Sequence, residues 1–178
     1  MGWMKDEIGL EKTQANFVPL TPLSHLQRAA KVFPTSTAVV YNNHRVNYAE
    51  YHARCSQLAS ALIDVGVKPG SVVATILPNV PAQAEAHFGV PACGAVLNTI
   101  NTRLDVDTVS YIFNHGEAEV VLVDTQFLPL AESACAKVDG NAPLIIEVPD
   151  PSAGFQSSGK YITSVSYTHL RAHETPIN

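Results

Sequence analysis

From Ala38 to Val148 the chain alternates between short β-branched runs and longer segments whose apolar residues recur every three or four positions. Val72 to Leu77, Ala95 to Ile100, Glu119 to Val123 and Leu144 to Val148 are nearly continuous in apolar character, the pattern of strands covered on both faces. Between them, Tyr51, Cys55, Leu58, Ala59 and Leu62 share one helical face. Asn47, with Glu50 three residues on, signals the start of that helix, and Gly66 and Pro69 signal its end. A second helix opens near Pro81 and runs to about Cys93, before Gly94. A third begins at Asp105, turns Val106, Val109, Ile112 and Phe113 inward and ends at Gly116, and Asp124 is placed to cap a fourth. Ahead of these, Ala38 to Tyr41 and Arg45 to Tyr48 flank Asn42-Asn43-His44 as a short hairpin would. Three consecutive strand-helix-strand units predict right-handed crossovers and an α/β fold with a parallel, doubly wound sheet.

Composition agrees with this. A chain of 178 residues, 46% apolar and 15% charged, can bury one substantial core without staples. The net charge of -5, with no clustered Lys/Arg face, argues against a nucleic-acid or anionic-membrane partner. Cys55, Cys93 and Cys135 are odd in number and widely spaced in apolar helical stretches, so neither a disulfide framework nor a zinc site is expected. Charged residues through Met1 to Thr13 are wrong for a signal peptide, and apolar runs fall far short of the roughly 20 residues a spanning helix needs. Together these predict a cytoplasmic protein.

Four parts follow along the chain: an N-terminal arm and first helix over 1–30, a partial α/β subdomain over 31–148, a turn-rich linker or loop over 149–164, and a tail over 165–178. Val165 to Thr175 reads as the translation of a transposon-end sequencing adapter, so the natural sequence is expected to stop at or near Ser164.

Few residues carry chemistry of their own. Gly154-Phe-Gln-Ser-Ser-Gly159-Lys160 matches a phosphate-loop spacing, but Tyr161 stands where Ser or Thr would hold magnesium, and Pro149-Asp150-Pro151 interrupts the approach from the preceding strand. It is read as a decoy. His52 and His87 fall within helices and His44 in a turn, with no nucleophile at a triad spacing, so no catalytic residue is assigned. In an open α/β sheet the carboxyl ends of the strands face the ligand crevice. Asn79, Asn98 and Asn101, in or just after two strands, are therefore the substrate-binding candidates, with turn formation the alternative for Asn79 and Asn101.

Asn16-Phe-Val-Pro-Leu-Thr-Pro-Leu23, Val46-Asn-Tyr-Ala-Glu50, Leu77-Pro-Asn-Val-Pro81 and, above all, Ala86 to Leu104 (AHFGVPACGAVLNTINTRL) resemble the acyl-activating enzymes of the adenylate-forming superfamily. The resemblance runs from about Met4 to Glu147 and is nearest to bacterial medium-chain acyl-CoA and methylmercaptopropionate–CoA ligases and to plant acyl-activating enzymes. It implies an incomplete N-terminal part of an adenylation domain, from an AMP-forming ligase that joins a fatty or shorter carboxylic acid to coenzyme A. ATP, CoA and Mg are the implied cofactors of the whole enzyme, and a homodimer is a frequent assembly. The phosphate loop, ribose-binding Asp and catalytic Lys of such enzymes lie beyond this stretch, so the fragment itself is expected to be inactive. Two rivals of other classes remain: a non-catalytic, flavodoxin-like small-ligand-binding module, and a structural domain with no ligand.

Overall fold

Helix α1 (Pro22–Val32) opens on Thr21, whose hydroxyl accepts the Ser24 N–H while the Ser24 hydroxyl answers the Thr21 N–H. In this computed structural model, residues 12–164 other than 14 and 19 are described, so the adapter-like stretch Val165 to Thr175 and the charged start of the chain lie outside the described residues. Strands β1 (Thr37–Tyr41) and β2 (His44–Asn47) pair antiparallel as the expected hairpin. Asn42 bears a φ of 50° at the turn, a left-handed conformation that Asn tolerates better than most residues. Helix α2 (Tyr48–Asp64) follows directly, its start fixed by the reciprocal bonds of Asn47 and Glu50, at 2.9 and 3.0 Å.

The rest is a doubly wound sheet. Strands β3 (Val72–Ile76), β4 (Val96–Thr99), β5 (Ala118–Asp124), β6 (Leu144–Val148) and β7 (Ile162–Thr163) run parallel in the order β4-β3-β5-β6-β7. Helices α3 (Pro81–Ala92), α4 (Val106–His115) and α5 (Leu128–Cys135) connect them. Each expected strand and helix is present, within a residue or two at its ends. Asp105 caps α4 through the Thr108 N–H, whereas Asp124 caps a 3-10 turn, Thr125–Phe127, that leads into α5. Strand β7 lies within the turn-rich 149–164 stretch and pairs with β6 through Ile146 and Glu147. Two residues are too short a run for hydrophobic periodicity to register.

The period-two alternation of the strands divides the interior. Val73, Leu77, Val120, Leu122, Ile146 and Val148 pack toward α2 and α3, with Leu58, Leu62, Ala86 and Val90 across from them. Ala74, Ile76, Val121, Val123 and Ile145 pack toward α4 and α5, against Val109, Phe113, Leu128 and Ala131. A smaller cluster of Leu26, Tyr51 and Cys55 joins α1 and the hairpin to α2. Gly89 permits the close crossing of α2 and α3: a Cβ there would meet Leu58 Cδ2 at 2.8 Å and the Cys55 carbonyl oxygen at 3.0 Å.

Candidate functional site

The strand order locates the site. After β3 the chain moves to one side to form β4, and α4 then carries it back across β3 to β5. The direction of winding reverses between β3 and β5, a switch point of the kind at which open α/β sheets hold ligands, outside the carboxyl ends of the strands. The loop after β3 contains Pro78 and Asn79; the one after β5 begins at Asp124 and Thr125.

Unmet hydrogen-bonding capacity collects on these two strands. Thr75 on β3 and Asp124 on β5 are each 1% exposed, and neither Thr75 Oγ1 nor Asp124 Oδ2 has a hydrogen-bond partner among the described residues. Most buried polar groups are paired, so this pair stands out. Burial pushes the Asp124 carboxyl above the ordinary aspartate range, opposed by the Gln126 N–H on Oδ1 at 3.0 Å and reinforced by the charge of Asp150.

Two further carboxylates brace the same edge. Glu147, next to last in β6 and fully buried, accepts hydrogen bonds from Thr125 Oγ1 at 2.7 Å, the Ser158 N–H at 2.7 Å, Ser158 Oγ at 2.8 Å and Ser157 Oγ at 3.2 Å. Burial alone would raise its pKa, but these donors outweigh it and hold the carboxyl below the usual range. Asp150 is similar: burial works upward, while Ser152, the Tyr41 hydroxyl at 2.5 Å and the amides of Ser152 and Ala153 hold it low. The Tyr41–Asp150 bond ties the hairpin to the sheet.

Of the three candidates from sequence, Asn79 alone lies in a loop that leaves this switch point. It lines an apolar cavity of about 610 Å³ between β1, α2 and α3, walled by Val39, Tyr51, Val80 and Phe88. Asn98 lies on the opposite face, its Nδ2 3.1 Å from where a Cβ on Gly116 would stand. Asn101 is exposed and its Oδ1 accepts the Arg103 N–H at 3.0 Å, an Asx turn. The three are not brought together. A charged residue inside an apolar strand run, Leu144 to Val148, was the available signal for Glu147; Thr75 and Asp124 gave none, because their isolation depends on neighbours that are distant in sequence.

The Gly154 to Lys160 stretch is not arranged as a phosphate cradle. Ser157 and Ser158 are engaged by Glu147, Lys160 Nζ meets Glu132 at 2.7 Å, and β7 rather than a helix follows. No group of three His, Cys, Asp or Glu side chains able to hold a metal is found among the described residues, and no helix there is long and apolar enough to cross a membrane.

Comparison with known proteins adds what geometry alone does not. Residues 26–172 match the AMP-binding family, described as AMP-binding enzyme. The chain is 41% identical over 180 residues to a peroxisomal acetate/butyrate–CoA ligase of Arabidopsis thaliana, covering 97% of this chain and 32% of that protein. It is 42% identical over 154 residues to an acetate–CoA ligase of Humulus lupulus, covering 83% and 27%. The fold matches an anthranilate–CoA ligase in complex with anthranoyl-AMP, with TM-score 0.77 and 22% identity over 89% of this chain and 30% of that one. A benzoate–CoA ligase from Burkholderia xenovorans superposes with TM-score 0.72 at 20% identity, covering 83% and 28%. The chain thus spans about a third or less of the length of these proteins. On the strength of the match over residues 26–172, the chain belongs to the AMP-binding enzyme family.

Proposed function

We propose that this chain is the N-terminal part of a cytoplasmic, ATP-dependent acid–CoA ligase acting on a fatty or short- to medium-chain carboxylic acid. The observation that supports it is the 41% identity, along nearly the whole chain, to an acetate/butyrate–CoA ligase. The overall reaction activates a carboxylate by joining it to AMP with release of pyrophosphate; the thiol of CoA then displaces AMP. The Gly154 to Lys160 stretch does not fit a magnesium-bound triphosphate, since Lys160 is paired with Glu132 and the Glu147 and Asp150 oxygens beside it are already engaged. Neutralisation of phosphate charge is therefore assigned to other parts of the enzyme, and the 178 residues alone are inactive. This portion supplies the scaffold, and Asn79 is its residue nearest the bound acid. The enzyme binds no nucleic acid and works as a homodimer.

The test is a chimera in which residues 1–164 of this chain replace the matching stretch of the Arabidopsis ligase. The expected result is AMP and pyrophosphate formation that depends on added acid, with Asn79→Ala raising KM for the acid more than it lowers kcat. A chimera that melts as cooperatively as its parent yet makes no AMP with acetate, butyrate or a longer acid refutes the proposal. The strand order is also that of flavodoxin-like folds, which supports the binding-module reading. That reading predicts saturable binding of AMP or CoA by the 178-residue chain itself.

A further inference from the structure

The cavity of about 610 Å³ falls within the roughly 300–1,000 Å³ of pockets that take a small organic molecule. Rings make its floor: Tyr51 and Phe88 meet edge to face at 5.7 Å, and Val39, Val80 and Pro81 close the sides. The phenols of the wall are already engaged. Tyr51 Oη donates to the Ala84 carbonyl oxygen at 2.7 Å and Tyr41 Oη to Asp150 at 2.5 Å, so neither is left to donate to a ligand.

Charge decides what can enter. No Asp, Glu, Lys or Arg lines the cavity, and an anion laid on apolar walls loses its hydration with no permanent cation to replace it. A carboxylate or a phosphate is therefore disfavoured, and a neutral apolar body that packs against the aromatic pair is favoured.

One polar group of the wall remains unmet. His87 Nδ1 stands 2.7 Å from the Gln83 carbonyl oxygen, which can only accept, so that nitrogen carries a proton and donates. Gln83 Nε2, 3.5 Å from the same nitrogen, finds no acceptor there, and Gln83 Oε1 has no partner among the described residues. An unmet amide on an otherwise apolar wall is the kind of sparse polar anchor that orients a ligand. A hydroxyl suits it, because O–H both donates and accepts; the amide turns about its last side-chain bond, a soft torsion, to present either end.

We propose that this cavity binds a neutral, hydroxyl-bearing aromatic molecule of one or two rings, with its ring against Tyr51 and Phe88 and its hydroxyl on the Gln83 amide. The acid of the ligase reading is an anion, so this is a second kind of occupant, and the inference stands independently of that reading.

Naphthol is the probe, with naphthalene as the control that lacks the hydroxyl and naphthoate as the charged one. Titrated into the full 178-residue chain and followed by calorimetry, naphthol is expected to bind saturably and to slow hydrogen exchange over residues 80–88, with naphthoate about tenfold weaker. Gln83→Leu exchanges one good helix former for another at a partly exposed position, and is expected to weaken naphthol several-fold while leaving naphthalene unchanged. If that variant does not fold, the exchange pattern and the naphthoate control on the unaltered chain decide. Protection elsewhere in the sheet, naphthoate as tight as naphthol, or a Gln83→Leu chain that loses naphthol and naphthalene equally overturns the proposal. So does binding that appears only once residues 1–11 are removed, which puts the chain's own segment in the cavity, or binding that vanishes in the chimera, which puts the rest of the enzyme there. A chimera that binds naphthol yet makes no AMP overturns the ligase reading alone.

Discussion

Replacing Glu147 with Gln keeps the shape of the side chain and removes its charge. In the native protein one buried carboxylate serves Thr125, Ser157 and both donors of Ser158. Hydrogen bonds to a charged acceptor contribute roughly 1.5–3 kcal/mol each and neutral ones roughly 1 kcal/mol. In the variant the Gln carbonyl oxygen can replace Oε1, which accepts the Ser158 N–H and Thr125 Oγ1, and the NH2 can replace Oε2, where it faces the Ser157 and Ser158 hydroxyls, which can rotate to accept. Converting the four bonds from charged to neutral, at roughly 0.5 kcal/mol each, is expected to cost about 2 kcal/mol, which for a domain of this size lowers Tm by roughly 4–8 °C. Because the folded-state pKa is depressed, the carboxylate's contribution is fully present above the unfolded glutamate value of about 4.3 and is lost as pH falls through the lower folded value. The stability difference between the parent chain and Glu147→Gln should therefore be flat around neutral pH and shrink on acidification below the ordinary carboxylate range. Chemical denaturation across pH measures this, and hydrogen exchange at Ser158 and β7 reports whether the loss is local. A Glu147→Gln chain within about 0.5 kcal/mol of the parent at neutral pH refutes the reasoning, that being the range of an ordinary surface change. A difference that grows in acid does so as well.

Gly89→Ala gains helix propensity worth up to about 1 kcal/mol but drives a methyl into Leu58 and the Cys55 carbonyl; overpacking costs about 1–3 kcal/mol, so a net loss is expected in thermal melts. Burial pushes the Cys55 thiol up to about 12 and raises Cys93 as well, so neither should react with a thiol reagent at pH 8 until the chain unfolds. Stoichiometric labelling of Cys55 under native conditions would contradict that.

How far the sequence could be read depended on the range of the interaction. Asn47 with Glu50 and Asp105 with Thr108 act within one helical turn, and their caps could be placed before any coordinates. The strands of the sheet showed through because burial on both faces makes their apolar runs continuous. Strand order could not be read the same way: nothing local says that α4 recrosses β3, and without that the switch point between β3 and β5 has no address. Asn98 shows the consequence. Its position in a strand was legible, but the face it points to was settled only by the approach of Gly116. The Tyr41–Asp150 bond joins residues 109 positions apart and left no trace in periodicity.

The two interiors on either side of the sheet share no side chains; they meet only through the backbone of the strands between them. A substitution beneath α3 and another beneath α5 should therefore add in their effects on stability, as independent sites do. A lineage could retailor the α2 and α3 side, where the apolar cavity and the hairpin lie, while the α4 and α5 side keeps its packing unchanged. In evolutionary terms the sheet acts as a firewall: one face is free to vary because the other does not have to follow.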